Sequence, residues 1–77
     1  MKKKTFTIWE GSKYIGTINY DYNKQKFTLI VNGEIDTYTF NNYKHLTKIL
    51  KRHSCLDISI PQHIINEIDS IVVMNML

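Results

Sequence analysis

The chain has 77 residues, enough for one small domain, and a chain this short hides only about 60% of its unfolded surface on folding, which leaves little room for a deep catalytic cleft. Its 43% hydrophobic content, with twelve Ile and nine aromatic residues, excludes a disordered tail and places residues 1–77 in a single folded α+β domain. A formal net charge of +3 is too mild to mark a nucleic-acid binder by itself, and a lone cysteine, Cys55, excludes an internal disulfide and suits a reducing, cytoplasmic compartment.

The opening MKKKTFTIWEGSK is basic like the start of a signal peptide, but Glu10 and Gly11 intervene before any apolar run of seven forms, so neither export nor a membrane span is expected. From Thr5 to Phe40, β-branched and aromatic residues alternate with polar ones between turn clusters, which predicts strands near 4–10, 13–20, 25–32 and 34–40. EGSK closes the first hairpin with Gly11 free to take positive φ, DYNKQ makes a longer loop, and Asn32–Gly33 signals a third turn. Four antiparallel strands in sequence make a meander. A three-residue loop with Gly33 as bulge, preferred over a two-residue turn pairing Val31 with Glu34, sets Leu29 opposite Ile35. That register gathers Phe27, Leu29, Val31 and Ile35 on a core face and leaves Thr28, Glu34, Asp36 and Tyr38 on the other.

NNYKHLTKILKRHS reads as an amphipathic helix: Tyr43, Leu46, Ile49, Leu50 and His53 fall on one side, Lys44, Lys48, Lys51 and Arg52 on the opposite one. Asn41 is the expected N-cap, and the late cations suit the negative pole of the helix. A solvated face is the plain explanation of the cations. No Asp or Glu occurs between Asp36 and Asp57, however, and that unbroken positive stretch makes the face a candidate partner surface. CLDISI follows as a short strand or extended connector, and SIPQ predicts a capping box between Ser59 and Gln62 with Pro61 in the first turn of a second helix. Ile64, Ile65, Ile68, Ile71 and Val72 form its buried stripe. Val73, Met74 and Leu77 fall off that stripe, so the tail is expected either to become a terminal strand or to pack on another chain, including a homodimer through residues 73–77. Charge is segregated, with +3 on residues 1–4, +4 on 41–56 and −3 on 57–77.

His45, His53, His63 and Cys55 lack the recurring ligand spacing of a zinc site, and Cys55 beside His53 has no third residue to orient it. There is no glycine-rich phosphate loop, no G-x-S-x-G and no identifiable carboxylate pair. Neither an enzyme nor a metal or cofactor is expected. What remains is binding. Tyr14, Tyr20, Tyr22 and Tyr38 are expected on sheet or loop surfaces as interface anchors, and Lys44, Lys48, Lys51 and Arg52 on the helix are the further candidate partner-binding residues.

The absence of Ala, nine Lys to one Arg, and heavy use of Ile, Asn and Tyr match AT-rich coding, as in an AT-rich bacterium or a phage or plasmid it carries. A four-stranded meander followed by helices, with turns such as EGSK and VNG, resembles the architecture of small phage anti-CRISPR proteins. The resemblance implies a small inhibitor, in the cytoplasm of a host cell, that binds a host protein or defence complex; it carries over no binding residue. The second expectation is a DNA- or RNA-binding regulatory domain that uses the basic helix 42–53 and sheet tyrosines, with Lys2, Lys3 and Lys4 adding phosphate contacts. A third is a regulatory homodimer of a mobile element.

Overall fold

The computed structural model describes residues 3–53, 56 and 58–76; Lys2, Cys55, Asp57 and Leu77, on which some expectations above rest, lie outside them. Strands β1 (Lys3–Glu10), β2 (Lys13–Asp21), β3 (Lys26–Val31) and β4 (Thr37–Phe40) precede helices α1 (Tyr43–Arg52) and α2 (Gln62–Met76). The strands pair in the order β1-β2-β3-β4, all antiparallel, which is the expected meander. No further strand forms among the described residues, and residues 58–61 run without regular structure into α2.

Both helices bury their apolar stripes on one face of the sheet. That face is built in rows: Tyr20, Phe27 and Phe40 lie side by side, then Phe6, Ile18, Leu29 and Tyr38, then Ile8, Gly16 and Val31. Phe27 and Phe40 stack with centroids 5.1 Å apart, and Tyr20 tilts against Phe27 at 4.6 Å, so the first row is a continuous aromatic strip. Leu46 and Ile49 of α1, Leu56 of the connector, and Ile64, Ile68 and Ile71 of α2 close over these rows in one core. The helix faces expected from periodicity are the observed ones.

A bulge breaks the β1–β2 register: Ile8 pairs with Gly16, but Trp9 pairs with Tyr14, leaving Ile15 as the extra residue. Ile15 packs on the core while Tyr14 turns to the far face, where its ring meets Trp9 edge-on at 5.7 Å. The turn at Gly11 has the expected positive φ of 64°. In the second loop the Asp21 carboxylate accepts from the amides of Asn23 and Lys24, and Gln25 closes the turn on the Asp21 carbonyl with φ of 56°.

The β3–β4 connection departs from expectation. Glu34 N donates to the Val31 carbonyl at 3.0 Å across Asn32 and Gly33, whose φ of 87° suits the third position of a type II turn. Pairing resumes only at Thr37 opposite Ile30, so β4 starts three residues later than predicted. Leu29 is therefore matched to Tyr38, not Ile35, and Ile35 stands 99% exposed in the loop while Tyr38 takes the covered face.

The helix starts also shift. Asn42, not Asn41, caps α1, with its side chain accepting from His45 N at 2.8 Å, while His45 Nδ1 accepts from Asn41 N at 3.1 Å. The Ser59–Gln62 capping box does not form: the Pro61 carbonyl takes the first helical amides, and Gln62 donates to Asn66 one turn on at 3.0 Å. The tail becomes no strand, because α2 continues to Met76.

Candidate functional site

The expected anchors do not share one surface. Tyr20 is fully buried, because Ile18 and Tyr20 share the parity of the core face and the Tyr20 hydroxyl is satisfied by the side-chain amide of Asn75 on α2. Tyr38 is half-buried beneath the helix layer, its ring 4.9 Å from that of His53. Tyr14 is half-buried on the opposite face, hydrogen-bonded through its hydroxyl to Thr17. Tyr22 alone of the four is exposed, edge-on to Tyr20 at 5.0 Å. Lys44, Lys48, Lys51 and Arg52 are exposed on the outward side of α1, on the layer opposite Tyr14.

Two surfaces emerge instead. The first is an apolar end. Val73, Met74 and Met76 are 55%, 70% and 79% exposed on the last turns of α2. Asn75, on those same turns, reaches the Tyr20 hydroxyl, and Tyr22 rests against the same Tyr20 ring. Tyr22 and the end of α2 thus flank one buried tyrosine. The C-terminal residues were singled out by their failure to fit the stripe; that Tyr22 joins them could not be read locally, because the Tyr20–Asn75 bond spans 55 residues.

The second is the uncovered face of the sheet, which also runs in rows. Lys3, Asp21 and Lys26 form the first, Thr5, Asn19, Thr28 and Thr39 the second, Thr7, Thr17, Ile30 and Thr37 the third, and Trp9 with Tyr14 the last. Lys3, Lys24 and Lys26 rim a polar hollow of about 440 Å³ floored by Asn19, Thr28 and Thr39. Asp21, the carboxylate there, is engaged by backbone amides of its own loop. Lys26 Nζ donates to Asn41 Oδ1 at 3.0 Å. Among the described residues the ion pair is Lys4–Glu67, at 3.5 Å between β1 and α2, so these three lysines face no carboxylate at bonding distance. Lys26 escaped sequence reading because its common face with Lys3 depends on strand register, and Lys24 because it reaches the hollow from the β2–β3 loop. Trp9 joins Tyr14 only through the bulge.

A further cleft of about 480 Å³ lies at the other end of the sheet, where Trp9, Tyr14, Leu56, Ile58 and Pro61 meet. Among the described residues no three His, Cys, Asp or Glu side chains gather as metal ligands, and no helix is long and apolar enough to cross a membrane. Neither a family model, nor a curated protein, nor a solved structure matches the chain.

Proposed function

We propose that this chain is a non-catalytic interaction module that binds another protein in the cytoplasm through its apolar end, and that binding inhibits the target, a host protein or defence complex. The observation that carries the reading is the exposure of Val73, Met74 and Met76 on a helix that is otherwise packed correctly. Exposed apolar groups at one helix end lower their free energy by burial against a partner, and methionine adapts its shape to one. The basic side of α1 then acts at range, drawing an acidic target in and raising the association rate. Inhibition is the part of the reading that rests on the architectural resemblance.

Nucleic-acid binding by the basic helix together with sheet tyrosines is less well supported, because Tyr20 and Tyr38 lie beneath the helices and Tyr14 lies on the other layer.

Affinity capture with the tagged protein from a nuclease-treated lysate of the encoding cell tests the proposal. A protein retained by the wild type and lost from Met74→Asp with Met76→Asp, at unchanged melting temperature, supports it. Sedimentation of the purified chain identifies the case in which that protein is a second copy. Capture that vanishes with nuclease overturns it.

A further inference from the structure

We propose that the uncovered face of the sheet is a binding site for a single-stranded nucleic acid, separate from the protein-docking end. Three features coincide there. Lys3, Lys24 and Lys26 rim a hollow whose floor is made of amide and hydroxyl groups, the donors that phosphate and sugar oxygens accept. Their positive charge is offset only in part: Asp21 lies in register between Lys3 and Lys26 and lines the hollow, so three lysines against one carboxylate leave it net positive, and no carboxylate comes within ion-pair distance of the three lysines among the described residues. At the far end of the same face Trp9 is 55% exposed with its ring braced edge-on by Tyr14, which in turn is held by Thr17.

The distance between the two ends suits a strand rather than a point anion. Trp9 and Lys3 are six residues apart on β1, and at about 3.3 Å per residue that is roughly 20 Å of sheet, lined by threonines that admit a backbone without blocking it. Cations tracking phosphates at one end and an open aromatic ring for a base at the other is the division of labour of sequence-tolerant single-strand binders. A duplex presents no unstacked base to Trp9, so it gains only the lysines.

Trp9 is the sole tryptophan of the chain, so its fluorescence reports the site directly. Titrating the wild type with oligothymidine and oligouridine of about twelve nucleotides should quench that emission, the two arms separating DNA from RNA. Three phosphate contacts on a single strand give log K against log salt a slope of roughly −2, or about a fifteenfold loss between about 50 and 200 mM salt. Lys24→Gln with Lys26→Gln leaves one of the three contacts and should flatten the slope to about −0.7, whereas Lys44→Glu with Lys48→Glu on the other layer should leave the quench intact. Trp9→Ala, followed by anisotropy of a labelled strand, should weaken binding at least about fivefold, the lower bound for a lost base stack. Absence of quenching at low salt overturns the proposal. So does equal affinity for duplex or heparin without quenching, or binding that fails with the α1 lysines and survives without those of the sheet. None of these results depends on the apolar end, which is intact in every variant.

Discussion

Gly16→Ala tests the packing of the sheet at its most demanding point. A Cβ on Gly16 would stand 2.5 Å from the carbonyl oxygen of Ile30 and 3.3 Å from the Cα of Val31. The first distance lies about an ångström inside ordinary van der Waals contact, and both neighbours are backbone atoms of β3, so no side-chain rotation relieves the clash. Strands β2 and β3 must part beside the Ile15 bulge, where Ile8, Val31 and Ile15 meet the core. Overpacking costs about 1–3 kcal/mol, and because the strain falls on paired backbone the upper end applies, about 3 kcal/mol. For a domain of this size each kcal/mol lowers the midpoint by about 4–8 °C, so circular dichroism melts should show a fall of roughly 12–24 °C. A midpoint within a few degrees of the wild type would mean that the two strands do not approach as described, and would refute the bulge geometry that sets Tyr14 beside Trp9.

Leu46→Ala and Ile68→Ala, each at a fully buried position of its helix, should cost about 2–5 kcal/mol by denaturant titration; near-neutral values would sink the two-helix layer. Ile35→Ser should change stability by less than about 0.5 kcal/mol, since the side chain is solvated, whereas a core residue would lose several times that. Reversal of Lys44, Lys48 and Lys51 to Glu should leave the fold intact in a thermal melt, because all three project away from the core. Asn75→Ala, which removes the donor to the Tyr20 hydroxyl, should destabilise by about 1 kcal/mol, and an unchanged unfolding midpoint would show that α2 does not anchor there.

The strands, both helices and their inward faces were legible because each follows a period its neighbours reinforce. Ile18 and Tyr20 alternate with Thr17 and Asn19, and Leu46 with Ile49 repeats at helical spacing opposite the lysines. The errors arose where a local pattern met a non-local partner. Ile35 carries strand propensity in a segment where the Val31–Glu34 bond delays pairing until Thr37, so Tyr38 inherits the place assigned to it. Tyr20 was assigned to the surface as a polar aromatic, yet parity puts it inside, and only a helix residue far along the chain supplies the partner for its hydroxyl. Asn41 and Asn42 are equivalent caps by residue type; His45, bonding back to Asn41, selects the second. The two surfaces were legible in fragments: Val73 and Met74 were visible as off-stripe residues in the helical period, whereas Met76 was not, and the lysine hollow needs all four strands in register.

Under the proposed function, partner protein is held at the end formed by Tyr22 and the last turns of α2. A photocrosslinking amino acid introduced in living cells at position 22 or 76, and at positions 39 and 48 for comparison, reports which surface touches protein. Discrete protein adducts from positions 22 and 76, and none from 39 or 48, are the predicted result. Adducts confined to position 48, with 22 and 76 silent, would contradict it and move the docking surface to the basic side of α1.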